Sequence, residues 1–183
     1  KIFDGDIIIH NHPYHGASHT PDLAVAVPIF YEDKLIGFSA ATAHLVDTGA
    51  AAPGLNIDLI DLFAEGTLYD SIKLYEKGVR NEAVWSILQD SVRTPSHNAA
   101  DIEAMIASTL RGKKRFLELI SRYGQDTVIG AANFWMDYSE KRLRSEIEKI
   151  PDGEYTAESW LDNDGRNWNK KLRVFVTVKK KGN

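Results

Sequence analysis

Three side chains in this sequence could hold a metal ion between them. His19 and Asp22 form a His–x–x–Asp pair in one stretch, and His44 follows later in a second. Two neutral imidazoles and one carboxylate make a facial site for a divalent cation, with its other positions open to water or substrate. The chain has no cysteine, so nitrogen and oxygen ligands are all it offers, and these suit Zn²⁺, Mn²⁺ or Fe²⁺. Five of the six histidines fall within residues 10–44. Among them His12 and His15, together with Asp47, stand near enough to orient the ligands or to act beside them in catalysis. On spacing alone a second reading stays open, because loop histidines are commonly exposed or structurally satisfied residues.

The elements that must position these groups can be read from pattern. Residues 5–11 (GDIIIHN) read as a short buried strand, and residues 12–21, with two prolines and a glycine, as a loop. Two apolar runs, 23–31 and 35–44, flank Glu32-Asp33-Lys34 and read as a β-hairpin buried on both faces. Pro28 within the first run suggests a bulge or an edge. If the turn centres on Asp33, antiparallel partners sum to 66 in residue number, and Asp22 faces His44. Directly opposed residues hold their Cβ atoms about 4.5–5.5 Å apart. A slip of one residue would pair Leu23 with His44 and leave Asp22 adjacent. Both histidines and the aspartate can therefore meet at the open end of one hairpin.

Further along, residues 47–56 read as a loop, 58–64 as a short helix and 71–75 as a strand. Helical periodicity covers about 81–92, 97–123 and 126–149, with Gly124 ending the second helix and Asp126 capping the third. Two strands, about 154–161 and 171–179, close the chain. The expected class is α+β, a mixed α/β arrangement. It combines a buried β-hairpin, a pair of long helices and a C-terminal β-hairpin in one domain segment. Within that segment residues 1–80 are mainly β and carry the metal region, 81–150 are helical and 151–183 form the hairpin.

Composition narrows the function classes. The chain has 183 residues, 22 Lys+Arg against 26 Asp+Glu and a formal charge of −4, which argues against a dedicated nucleic-acid binder. Its charge is uneven. Residues 1–110 hold 6 Lys/Arg and 15 Asp/Glu, a net of −9, whereas residues 111–183 hold 16 and 11, a net of +5. Zero cysteine excludes a disulfide framework and a thiolate nucleophile, and agrees with a cytoplasmic protein. No apolar run reaches the roughly 18–20 residues that a membrane-spanning helix needs. There is no GxGxxG or Walker A motif, so nucleotide binding is not visible in this sequence, and there is no GxSxG nucleophile elbow. The chain starts without Met and meets strand patterns near both ends, which reads as a fragment of a longer polypeptide.

The stretch GDIIIHNHPYHGASHTPDLAVAVPIFYEDKLIGFSAATAH resembles the hydantoinase B family. That family's usual form runs Gly-Asp-Val, then Asn-Asp-Pro-Tyr-x-Gly-Gly-Thr-His-x-Pro-Asp, a hairpin, Ala-His-x-x-Asp-x-Gly-Gly and a Pro-Gly loop. IKLYEKGVRNEAV, SVRTPSHNAADIEAMIASTLRGKKRFLELISRYG and PDGEYTAESWLDNDG also look like it. His12 departs from the pattern, standing where the family usually has Asp, and Thr48-Gly49-Ala50 replaces the glycine pair.

The family includes N-methylhydantoinase, 5-oxoprolinase and caprolactamase subunits as well as acetone and acetophenone carboxylases. The resemblance implies metal ligands at His19, Asp22 and His44, and matches Asp47 to the aspartate of the family's His-x-x-Asp. It implies a metal-bearing subunit in a cytoplasmic hetero-oligomer. In the scheme that the resemblance implies, a hydantoinase A-type partner, carrying ATP and Mg²⁺, phosphorylates a small-molecule substrate. This subunit, completed by its remaining part, then hydrolyses a cyclic amide or imide. Carboxylation of a ketone through a phosphoenol is the alternative within the family, and a non-catalytic scaffolding segment the alternative outside it. No nucleic acid or membrane partner is implied.

Overall fold

The computed structural model describes residues 1–56 and 58–182, which divide into two compact units, Lys1–Arg122 and Tyr123–Asn183. The architecture is mixed α/β. The first unit is built on a five-stranded antiparallel sheet, with helices α1 (Glu82–Asp90) and α2 (Pro95–Tyr123). Its strands are β1 (Ile7–His10), β2 (Asp22–Tyr31), β3 (Lys34–His44), β4 (Ile72–Glu76) and β5 (Val79–Arg80), in the order β3-β2-β1-β4-β5. Where a short helix was expected over 58–64, a 3₁₀ turn covers Leu62–Glu65, capped by the Asp61 carboxylate, which accepts from the Ala64 N–H.

The side chains alternate along β2 as period-2 sterics require, so Leu23, Val25 and Val27 point to one face. There they join Ile7 and Ile9 of β1, Leu74 of β4, Leu88 of α1 and Ile102, Met105 and Ile106 of α2 in one core cluster. The other face of the hairpin carries Asp22, Ala24 and Ala26 opposite His44, Thr42 and Ala40. It is not the doubly buried hairpin that the apolar runs suggested. β3 is an edge strand, and Phe38, Ala40, Thr42 and His44 along it are exposed. The small residues that made both faces look apolar leave the second face open for the site. Pro28 sits beyond the end of the β1 pairing, where β2 has no neighbour on that side and its missing N–H costs nothing.

The turn is tighter than a turn centred on Asp33. Glu32 and Asp33 both have positive φ, 48° and 61°, as a two-residue type I′ hairpin turn requires. Its first pairs, Tyr31–Lys34 and Phe30–Leu35, sum to 65. A bulge at Ile36 then adds one residue, and from Ile29–Gly37 to Asp22–His44 the sum is 66. Had the first register run on unbroken, Asp22 would face Ala43, and His44 would point to the other side of the sheet.

The second unit holds α3 (Gln125–Glu148) and the antiparallel hairpin of β6 (Gly153–Leu161) and β7 (Leu172–Lys180). α3 is capped by Gly124 at φ +82° without a side-chain bond, so Asp126 is not the cap expected of it. It lies in the first turn, where its charge still favours the helix dipole. The hairpin keeps register over its full length, from Gly153–Lys180 to Leu161–Leu172.

Candidate metal centre

The loop between β1 and β2 delivers His19 and Asp22, and the end of β3 delivers His44. Two devices hold that loop. Asn11, fully buried, donates from Nδ2 to the carbonyls of Thr20 (2.8 Å) and Thr67 (3.0 Å) and accepts from the Tyr69 N–H at 2.6 Å. At the other end of the loop, the Asp22 N–H donates to the His19 carbonyl at 3.1 Å and the Leu45 N–H to the Pro21 carbonyl at 2.9 Å. The chain is thereby turned so that His19 and Asp22 point to the same place.

Three ligand atoms meet there. His19 Nε2 is 2.9 Å from Asp22 Oδ1, His44 Nδ1 is 3.3 Å from the same oxygen, and the two ring nitrogens are 3.2 Å apart. Among the described residues this is the one group of three His, Asp or Glu side chains whose ligand atoms come within 4.8 Å of one another. Donors about an ion with bonds of about 2.1 Å stand about 3.0 Å apart at octahedral angles and about 3.4 Å apart at tetrahedral ones. The observed triangle falls close to these values. Protons alone satisfy it poorly, because each ring nitrogen is either a donor or an acceptor. If both donate to Asp22 they face each other proton to proton, and if one accepts, its lone pair faces the carboxylate. A central cation satisfies all three contacts at once. The side chains of His19, Asp22 and His44 are 30%, 22% and 44% exposed, so the site is reachable from solvent.

The other carboxylate oxygen of Asp22 accepts from the Ser18 hydroxyl. Partial burial pushes the Asp22 carboxyl upward, but the Ser18 bond and the two imidazoles outweigh it and hold it below its ordinary range. Ser18 was not singled out from the sequence. Its signal was a hydroxyl residue four places before a candidate ligand in the same loop.

The other expected site residues are not part of this triangle. Asp47, expected to orient the ligands, is buried and fully engaged elsewhere. Its Oδ1 accepts from the Gly49 N–H at 2.9 Å, and its Oδ2 from the Arg93 N–H at 2.7 Å, with the guanidinium Nη1 3.1 and 3.2 Å from the two oxygens. Burial raises its carboxyl, but these bonds outweigh burial and leave it below the usual carboxylate range. It clamps the loop after β3 to the segment entering α2. His15 and His12 stack on each other at 4.2 Å between ring centroids. His15 Nδ1 is 2.8 Å from Asp70 Oδ2, and His10 Nδ1 is 3.4 Å from Asp70 Oδ1. The His15–Asp70 contact ties the loop to the segment before β4, through an aspartate that no local pattern marks out.

A family model described as hydantoinase B/oxoprolinase matches residues 1–183. The chain belongs to that family. It is 50% identical, over 97% of its length, to a Pseudomonas sp. (strain NS671) protein provisionally assigned as the B-type subunit of a D-/L-hydantoinase, of which it covers 31%. It is 32% identical to the acetophenone carboxylase delta subunit of Aromatoleum aromaticum (strain DSM 19018 / LMG 30748 / EbN1), covering 100% of this chain and 27% of that one. The crystal structure of ATP-dependent caprolactamase from Pseudomonas jessenii superposes on the whole chain with a TM-score of 0.90 at 30% identity, covering 31% of its own chain. This family member thus spans under a third of the length of these relatives, several of which are named as subunits of larger enzymes. None of its described helices is long and apolar enough to cross a membrane.

Proposed function

We propose that this chain is the metal-bearing segment of an ATP-dependent cyclic amidase. In this reading it works with a hydantoinase A-type subunit that phosphorylates the substrate, and with the rest of its own subunit. The convergence of His19, Asp22 and His44 within 3.3 Å of one another carries the reading. The 50% identity to the hydantoinase relative supports the amidase branch. An ion bound to the three residues would supply Lewis acidity and a lowered pKa for bound water.

The residues of the chain do the rest. Ser18 keeps Asp22 charged, with Oδ1 turned to the histidines. The exposed edges of His19 and His44 leave the opposite side open for a carbonyl to approach. A cyclic amide carbonyl is a weak electrophile, and phosphorylation of its oxygen by the partner makes the carbon attackable by water. With no phosphate-cradling loop in this sequence, that step falls to the partner.

The test uses the full-length subunit co-purified with its hydantoinase A-type partner. Ring opening of a cyclic amide should be coupled to ATP consumption and accompanied by a bound divalent ion. Asp22→Ala should abolish both ring opening and ion retention. Ring opening without ATP, or full activity in a metal-free preparation, would contradict the reading. Consumption of a ketone and bicarbonate instead would move the chain to the carboxylase branch, in keeping with its acetophenone carboxylase relative.

A further inference from the structure

Residues 2–72, which carry the metal region, hold ten Asp/Glu and one Lys/Arg. The one cation is Lys34, at the opposite end of β3 from His44. Arg93 reaches this stretch from outside it, but its guanidinium is engaged. Nη1 binds Asp47, and Nη2 donates to the carbonyls of Ala50 and Ala51 at 2.8 and 3.2 Å. Beside His19 the charge is negative. Asp61 and Glu65 line the same cleft as His19, and among the described residues no Lys or Arg does. Both carboxylates are held by backbone. Asp61 Oδ1 accepts from the Ala64 N–H at 3.1 Å, and Glu65 Oε2 from the Thr20 N–H at 3.5 Å. Beyond the bound ion, a phosphorylated amide would meet two fixed carboxylates here, which repel it. Its phosphate needs Lys or Arg side chains brought from elsewhere.

The surface around His19 is also apolar. Among the described residues of the first unit, five large apolar or aromatic side chains are at least 69% exposed. One is Val79 in β5, and the other four, Tyr14, Leu55, Ile60 and Phe63, gather at this site. Tyr14 and Ile60 line the cleft with His19, and Leu55 lines an adjoining depression with His19 and Glu65. Phe63 belongs to the 3₁₀ turn that carries Glu65. Single exposed apolar residues are ordinary, but several collected round one site mark a surface that another surface covers.

We infer that Tyr14, Leu55, Ile60 and Phe63 seat the remaining part of this chain's own subunit, and that the seated surface brings Lys or Arg to Asp61, to Glu65 and to the phosphate of the activated amide. Length and charge favour this occupant. The chain spans 31% of the hydantoinase relative and 31% of the caprolactamase chain, so the larger part of a family-length polypeptide lies outside it. That part is tethered to the seat, and tethering supplies a high effective concentration. A second copy of this segment would oppose one acidic face to another, since residues 1–110 carry a net of −9. The phosphate comes from the amidase reading above, on which the role of the cations rests; the seat stands without it.

The test is hydroxyl-radical footprinting of the full-length subunit, without substrate, alone and with its hydantoinase A-type partner. In the lone folded subunit Tyr14 and Phe63 should be labelled severalfold more slowly than in the urea-unfolded subunit, at every protein concentration. Labelling near the unfolded rate would overturn the seat. Protection that appears only with the partner, or only as concentration rises, would overturn the choice of occupant. The cations are tested with inorganic phosphate as the probe. Its affinity for the full-length subunit should fall severalfold when Ile60→Ser and Phe63→Ser are combined, with the bound ion retained. Unchanged phosphate affinity in that variant, once its Tyr14 has become reactive, would overturn the delivery of cations. Ring opening without ATP would contradict the amidase reading and leave the protection of Tyr14 and Phe63 as it was.

Discussion

The carboxylate of Asp22 sits between two imidazoles and a hydroxyl, and each neighbour favours its charged form. Asp22→Ala should therefore lose the bound ion while the fold persists, because the side chain lies on the open face of the sheet and is not part of the core cluster. Circular dichroism and elemental analysis of the full-length subunit check this; an unfolded variant, or one that keeps its ion, contradicts it. Asp47 should behave in the opposite way. Its carboxyl is held below its ordinary range, so its contribution is present above the unfolded pKa of about 4 and disappears as pH falls from there through the folded value. Asp47→Asn should cost about 1–3 kcal/mol at pH 7, discounted for the half-exposed Arg93 guanidinium. In urea denaturation series the gap to the native protein should shrink below about pH 4. A gap that widens on acidification would show that the Asp47–Arg93 pairing is not what stabilises this loop.

The hairpin and its entering loop decide where the ligands point. The pairing of Asp22 with His44 was legible because turn position fixes antiparallel partners, yet the arithmetic reached the right pair through a different route. A two-residue turn alone would have missed it, and the Ile36 bulge restores the register. No residue pattern in the β3 sequence announces that bulge, since it depends on how strand twist fits the core below. Deleting Ile36 should keep metal retention, because Gly37 then follows Leu35 and every pair from Ile29–Gly37 to Asp22–His44 survives. Loss of the ion in that deletion would show that the bulge itself shapes the site. Asn11 is the second element-level device. Asn11→Ala would leave the Thr20 and Thr67 carbonyls without its amide and should cost about 1–3 kcal/mol or more, with weakened metal affinity, since the same bonds aim the loop. Thermal unfolding and metal titration report the two effects, and a variant as stable as the native protein with unchanged affinity would contradict the role. Asn11 and Asp70 escaped the sequence reading because they hold partners more than fifty residues away, a separation that no local pattern reports.

In the whole molecule, the strands and long helices were legible from periodicity, and the family from an ordered set of motifs covering nearly the whole chain. What could not be read was which surfaces stay uncovered. Apolar composition does not distinguish a strand buried on both faces from an edge strand of small residues beside an open site. The division of labour proposed above has its own consequence. The full-length subunit without its partner should show no substrate-dependent ATP consumption, and adding the hydantoinase A-type subunit should restore it. Substrate-dependent ADP release by the lone subunit, followed in a coupled assay, would refute that division.

The most direct test is elemental analysis of the full-length subunit purified with its partner, native and Asp22→Ala side by side, together with a structure of the native assembly. The native subunit should hold about one divalent ion, bound by His19, Asp22 and His44 at about 2.0–2.2 Å, and the variant should hold none. Equal ion content in the two proteins, or an ion located away from these three side chains, would contradict the assignment.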